Sequence, residues 1–111
     1  MKYLELKDNE EKALHELKQR LLEKFPDAEV ILYGSKARGD DEEFSDIDLL
    51  ILLNGKVNTQ LEEEVISLAF QVELKYEIVF GLLIESKEFW NTELAKAMPI
   101  HWNIDRDGIP V

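Results

Sequence analysis

Hydrophobic residues in the first third of the chain follow a helical pattern and then a strand pattern. After Asp8 and Asn9, either of which can cap a helix, apolar residues return every three or four positions and predict a helix over residues 9–25. The aliphatic and β-branched run at residues 28–33 predicts a buried strand, which Gly34 ends. The polar residues 34–44 that follow predict a loop, and loops of that length in a small domain are usually functional or disordered.

The middle of the chain predicts a second strand, a second helix and a third strand. Residues 45–53 begin with acids and end in an uninterrupted apolar run, which is typical of a central strand buried on both faces. Asn58 or Thr59 caps a helix with an inner apolar stripe, and residues 77–84 predict a third strand.

The C-terminal part predicts one more helix and a short strand. Ser86 caps a helix over residues 87–97, which Pro99 ends, and the tail turns at Gly108 into a last short strand. The resulting order, α-β-β-α-β-α, predicts an α/β (α+β) fold with a small sheet flanked by helices. A length of 111 residues predicts a single domain over residues 1–111.

Composition narrows the possible functions of this domain. Thirteen Lys and Arg against 24 Asp and Glu give a net charge of −11, which disfavours broad adhesion to nucleic acid or anionic membranes. The absence of cysteine removes disulfides, thiolate metal sites and thiol nucleophiles. The N-terminus has no apolar signal segment, and the longest apolar runs are too short to cross a bilayer, so we expect a cytoplasmic protein.

Two aspartates at the start of the second strand are the strongest candidates for chemistry. Side chains alternate along a strand, so Asp46 and Asp48 project from one face while Ile47 points into the other layer. Adjacent carboxylates raise each other's pKa unless a cation neutralises them, and a hard oxygen pair beside a cleft suits Mg²⁺. The alternative is a solvated acidic strand start.

The bend after the first strand is a candidate phosphate site. Gly34 allows the backbone N–H groups and the Ser35 hydroxyl to face an anion, and either Lys36 or Arg38 could reach a triphosphate. The acidic run at residues 40–43 is interpreted as a solvated loop rather than as ligands.

The segment GSKARGDDEEFSDIDLLILL resembles the GS-x(10)-DxD signature of the DNA polymerase β-type nucleotidyltransferase superfamily, and the short chain is similar to its minimal nucleotidyltransferase branch. The resemblance implies a palm-like nucleotidyltransferase fold. It also implies that Gly34 and Ser35, helped by Arg38, bind the triphosphate of ATP, and that Asp46 and Asp48 hold two Mg²⁺ ions.

The resemblance further implies a third carboxylate on a later strand, and Glu77 is the candidate because it opens the predicted strand EIVFGLLI. It would be both a metal ligand and a catalytic residue. Glu is one methylene longer than the Asp that the family often has there, so Glu77 is equally compatible with a strand-edge acid without a catalytic role.

The resemblance implies transfer of a nucleoside monophosphate, AMP from ATP, to a hydroxyl. Members of this branch are commonly antitoxins that modify a tyrosine of a HEPN-domain toxin, so a HEPN-domain protein is the expected partner. One alternative is a catalytically degenerate antitoxin that neutralises its partner by contact. A weaker alternative is transfer to a small-molecule hydroxyl, for which the sequence supplies no additional substrate-binding region.

Overall fold

A mixed β-sheet lies between two layers of helices, as the sequence predicts. The structure is a computed structural model that describes residues 6–39 and 46–111. In chain order its elements are α1 (Asp8–Lys24), β1 (Glu29–Tyr33), α2 (Ser35–Arg38), β2 (Ile47–Leu53), α3 (Thr59–Tyr76), β3 (Phe80–Ser86), α4 (Lys87–Trp90), α5 (Glu93–Lys96), α6 (Pro99–Asp107) and β4 (Ile109–Pro110).

The sheet has the strand order β3-β2-β1-β4, with β2 in the interior. β2 is parallel to β3, and the long helix α3 makes the crossover connection that a parallel pair needs. β1 is antiparallel to both β2 and β4. β2 has six buried residues and one half-buried residue, Asp48, which confirms the prediction of a central strand with a charged end.

The two faces of the sheet build two hydrophobic clusters. Alternate residues of β2, beginning with the 1% exposed Ile47, pack with buried residues of α1 and α3. The intervening residues Leu50 and Leu52 pack on the opposite side with Trp90 of α4 and Ile104 of α6. Because side chains alternate along a strand, β2 contributes buried residues to the cores on both faces of the sheet.

Two of the three N-caps predicted at the starts of α1, α3 and α4 are present in the structure. Asn58 caps α3, since its side-chain oxygen accepts a hydrogen bond from the Leu61 N–H at 2.9 Å. Ser86 caps α4 in the same way through the Phe89 N–H at 3.0 Å. The prediction of Asp8 or Asn9 as the cap of α1 is wrong: Lys7 is the N-cap residue, and its N–H donates to the Glu10 carboxylate at 2.9 Å.

The C-terminal region contains the three short helices α4, α5 and α6 where a single helix is predicted. Thr92 interrupts the predicted helix after α4, because its hydroxyl accepts from the Ala95 N–H and so caps a separate helix, α5. Pro99 begins α6 rather than ending a helix, since proline is well accommodated in a first helical turn. The predicted last strand is confirmed as β4, which pairs with Ile31 and Leu32.

Within residues 6–39 and 46–111, no helix is both long enough and apolar enough to cross a membrane.

Candidate active site

Asp46 and Asp48 lie at the start of β2, at one end of the sheet. Asp48 is opposite Tyr33 of β1 and Gly81 of β3 in the strand register, and Asp46 precedes the strand. An ideal Cβ atom at Gly81 would lie 2.6 Å from Asp48 Oδ1 and 3.9 Å from Asp46 Cβ, which puts both aspartates on that side of the sheet. Asp46 is exposed and Asp48 is half-buried, so the pair lies between core and solvent, as the sequence predicts.

Two glycines leave room for the Asp48 carboxylate. An ideal Cβ at Gly34 would lie 2.5 Å from Asp48 Oδ2, and Gly81 makes the corresponding approach to Oδ1. The Gly34 backbone has φ 75° and ψ −156°, a conformation that is essentially restricted to glycine. Gly34 is a predicted residue of the site and Gly81 is not, although a single glycine inside a strand is a known sign of close approach.

The electrostatics of this pair favour a cation. Burial, and after it the neighbouring Asp46 charge, raises the pKa of Asp48, while Arg38 acts in the opposite direction. The pKa of Tyr33 is also raised, first by burial and then by the Asp48 charge. The negative charge at Asp48 is therefore incompletely compensated by the protein.

The bend after β1 is a short helix where a loop is predicted. Gly34 is the N-cap residue of α2, and its carbonyl oxygen accepts from the N–H groups of Ala37 and Arg38, both at 3.1 Å. Gly39 ends the helix in the left-handed conformation. A four-residue helix arises here because a glycine at each end supplies a positive φ angle. Residues 40–45, with the acidic run at 40–43, lie outside the described residues.

The two cations of α2 have different environments. The Lys36 side chain is fully buried, and its Nζ lies 2.7 Å from Oε2 of Glu10, which is also buried. Arg38 is exposed and makes an ion pair with Asp107 at 3.7 Å. Of the two, Arg38 has the accessible side chain and a favourable electrostatic interaction with Asp48. The pairing of Glu10 with Lys36 is not predicted by the local sequence pattern.

Glu77 lies at the end of α3 rather than in β3. It is the exposed C-cap residue of α3, with φ 55°, and β3 begins three residues later at Phe80, so the predicted start of this strand at residue 77 is wrong. Helix α3 continues to Tyr76, and the Glu73 carboxylate accepts from the Phe80 N–H at 2.8 Å across the turn that follows. Across residues 6–39 and 46–111, no group of three His, Cys, Asp or Glu side chains is arranged to hold a metal ion.

The donor set of Asp46 and Asp48 nevertheless fits Mg²⁺. This ion is often bound by one or two carboxylates, with water and substrate phosphates as the other ligands. Asp48 has two oxygens held beside Gly34, the residue that begins α2. A phosphate group at α2 and a cation at the aspartates would therefore be close together.

Comparisons with known proteins agree on one family. The family model described as "Nucleotidyltransferase domain" matches residues 14–103, a range that includes both aspartates and the Gly34 bend. A protein of Methanocaldococcus jannaschii, named as a protein adenylyltransferase, is 39% identical over 101 residues, which are 89% of this chain and 90% of that protein. A second protein of this organism with the same type of name is 41% identical over 58 residues, 52% of this chain and 59% of that protein.

Two solved structures share the fold. One is described as a toxin–antitoxin with AMP-PNP and has a TM-score of 0.59 at 20% identity, over 90% of this chain and 70% of that one. The other, described as a nucleotidyltransferase from Sulfolobus solfataricus, has a TM-score of 0.51 at 21% identity, over 98% of this chain and 90% of that one.

Proposed function

Because the chain belongs to the nucleotidyltransferase domain family, and is therefore a nucleotidyltransferase, we propose that it transfers AMP from ATP to a protein hydroxyl with the help of Mg²⁺. The observation that carries this proposal is the Asp46–Asp48 pair, with Asp48 seated directly against Gly34. The relatives named as protein adenylyltransferases support AMP as the transferred group and a protein as its acceptor.

The proposal gives each residue of the site a role. Gly34 and Ser35 form a cradle for the triphosphate, and the exposed Arg38 contributes positive charge beside it. Asp46 and Asp48 would hold Mg²⁺, which supplies neutralisation of phosphate charge and activation of the attacking hydroxyl in reactions of this type. Gly81 contributes by leaving space for the Asp48 carboxylate.

The reaction forms a bond between the acceptor oxygen and the α-phosphorus of ATP. The bond from that phosphorus to the pyrophosphate oxygen breaks, and the hydroxyl proton is lost to a base or to water. In-line attack requires that the acceptor approach from the side opposite pyrophosphate. The cradle fixes the triphosphate against the aspartates, so the acceptor only has to present its hydroxyl at the open side of the site.

For the acceptor, we propose a tyrosine of a HEPN-type toxin. A toxin–antitoxin neighbour in the structural comparison supports this assignment. An exposed apolar stripe on α3, formed by Ile66, Phe70 and Leu74 at 50–65% exposure, supports a protein partner, because exposed apolar patches mark interaction surfaces. The alternatives remain neutralisation by contact alone and, with less support, transfer to a small molecule.

The test is transfer of label from α-³²P-labelled ATP to a co-purified HEPN-domain partner in the presence of MgCl₂. The parent protein should label the partner, and Asp46→Asn and Asp48→Asn should each reduce the rate by more than about 100-fold, beyond the loss typical of outer-shell changes at metal sites. Glu63→Gln, which removes one charge from the exposed surface of α3, is the matched control and should transfer normally. An unlabelled partner that still forms a complex would favour the contact-only antitoxin.

The role of Glu77 as third carboxylate stays a prediction. If it acts as metal ligand or base, Glu77→Gln should lower the transfer rate by about 10²- to 10⁴-fold, the range for a lost general base. A rate within a few-fold of the parent would restrict the carboxylates of the site to Asp46 and Asp48.

A further inference from the structure

A buried ion pair connects α1 to the proposed nucleotide cradle. Lys36 Nζ lies 2.7 Å from Glu10 Oε2, and the exposed fractions of the two side chains are 0% and 7%. The other oxygen of the same carboxylate, Oε1, accepts from the Lys7 N–H at 2.9 Å. Glu10 thus joins the beginning of α1 to the second residue of α2.

This arrangement separates Lys36 from direct contact with substrate. A lysine in a phosphate-binding segment would ordinarily extend its ammonium group to solvent and to the ligand. Here the ammonium is enclosed beside the Glu10 carboxylate, and the exposed Arg38 is left as the accessible cation of α2. Any influence of Lys36 on the nucleotide must therefore pass through the backbone of α2.

Stability alone is a poor explanation for such a pair. Removing two charges from water costs free energy, and a buried ion pair is often no more stabilising than apolar residues of the same size. The pair does fix the relative position of the two side chains, because separating the charges would leave each of them buried without a counter-ion. The ion pair holds the four-residue helix α2 from the side of α1, while Ala37 packs against the core and Arg38 pairs with Asp107.

We propose that the Glu10–Lys36 ion pair positions α2, and with it the cradle at Gly34 and Ser35, against Asp48. This inference rests on the proposed function. Lys36 and Glu10 are positioning residues in it, because they act on the cradle through the α2 backbone.

The experiment removes the ion pair while keeping a folded protein. Glu10→Gln/Lys36→Met removes both charges of the pair together, and Gln can still accept from the Lys7 N–H. The control is Glu16→Gln, which removes two ion pairs of the same 2.7 Å length, with Arg20 and Lys75, from the side of α1 that faces α3. Amide hydrogen exchange at Ala37, Arg38 and Gly39, followed by NMR, reports on α2, and calorimetry with ATP and MgCl₂ reports on the cradle.

The double variant should keep a melting temperature close to that of the parent while the α2 amides exchange at least about tenfold faster, as expected for local loosening. Its dissociation constant for ATP should rise at least about tenfold, and the control should change neither quantity. Unchanged exchange at α2 in the double variant would overturn the proposal. If the parent itself binds no ATP, the proposed function fails, whereas the exchange rates still decide whether the pair positions α2.

A second variant covers the case in which the double variant does not fold. Glu10→Asp keeps both charges and shortens the carboxylate by one methylene, so the pair can persist only if α2 moves. We expect faster α2 exchange and weaker ATP binding in this variant as well. Parent-like values for both would contradict the positioning role.

Discussion

Asp48 is the residue on which the site depends most directly. One of its oxygens faces Gly81 of β3 and the other faces Gly34, which directly follows β1. Burial raises the pKa of its carboxyl group, and the Asp46 charge adds to the effect. The protein thus places a carboxylate where side chains larger than hydrogen are excluded on both sides. The site therefore requires both the Asp48 carboxylate and the space that Gly34 and Gly81 leave around it.

Gly81→Ala tests this requirement for space. An alanine methyl group would meet Asp48 Oδ1 at 2.6 Å, and the carboxylate end must rotate away. Because Ala is otherwise better than Gly inside a strand by about 0.5–1 kcal/mol, we expect a melting temperature near that of the parent but a transfer rate at least about tenfold lower.

The matched control for this substitution is Gly55→Ala. Gly55 has φ 77° and no atom within 4 Å of an added Cβ, so the variant should lose about 1 kcal/mol of unfolding free energy and keep its transfer rate. Steady-state transfer and thermal melts of both variants separate the two effects. Normal transfer by Gly81→Ala would show that the Asp48 orientation is not critical.

Glu77 permits a prediction about the backbone. It has φ 55° and ψ 51° at the end of α3, a conformation that glycine adopts without the steric cost of a Cβ. Glu77→Gly should therefore raise the free energy of unfolding by about 0.5–1 kcal/mol in urea titrations, whereas Glu77→Ala should not. A glycine variant no more stable than the alanine variant would contradict this account.

At the scale of elements, α1 holds two neighbours through two carboxylates. Glu10 joins it to α2, and Glu16 joins it to α3. Glu16 Oε1 accepts from Lys75 Nζ at 2.7 Å and from the Tyr76 hydroxyl at 2.8 Å, while Arg20 of α1 pairs with Oε2. The ion-pair cluster at Glu16 lies at the rim of the apolar contact between the two helices.

This cluster predicts a pH dependence of stability. The hydrogen bond from Lys75, and after it the one from Tyr76, lowers the pKa of Glu16 from 4.5 to about 2. A depressed pKa in the folded state contributes stability above pH 4.5 that is lost as the pH falls toward 2. The difference in melting temperature between the parent and Glu16→Gln should therefore be constant from pH 7 to about 5 and narrow at lower pH.

Circular dichroism melts between pH 2 and pH 7 measure this difference. Glu63→Gln on the exposed surface of α3 removes an equal charge and serves as the reference for general charge effects. A parent-to-variant difference that stays constant down to pH 2 would exclude the Glu16 cluster as the titrating group.

At the scale of the whole molecule, a net charge of −11 sets the electrostatic background of the site. Excess negative charge destabilises a folded chain by self-repulsion, which salt screens. The Asp46–Asp48 pair adds a local concentration of the same sign. A divalent cation should therefore stabilise the protein in two ways, through general screening and through binding at the pair.

Thermal melts in MgCl₂ and in NaCl at equal ionic strength separate these two contributions. The parent should melt at a higher temperature in MgCl₂, and a ligand at 100 times its Kd adds about 2.7 kcal/mol. Asp48→Asn should lose this additional increase, and in NaCl it should melt at or above the parent temperature because a repulsive charge is gone. An identical Mg²⁺ response in Asp48→Asn would argue against a metal at this residue.

The sequence by itself determined the features that depend on local pattern. The burial of β2, the caps Asn58 and Ser86, and the common face of Asp46 and Asp48 follow from side-chain periodicity and from hydrogen bonds that span three residues. The GS-x(10)-DxD spacing likewise identified the family, because all of its residues lie within one short continuous segment of the sequence.

The tertiary structure decided what depends on contacts between distant segments. Lys36 is a buried partner of Glu10 because folding brings residues 26 positions apart together, and Gly81 belongs to the site because β3 is next to β2 in the sheet. Pro99 begins a helix rather than ending one, since the apolar residue Ile104 that follows it packs on the sheet. Intrinsic helix propensities differ between most residues by only a few tenths to about 1 kcal/mol. Burial of an apolar side chain against a neighbouring element contributes more free energy than that.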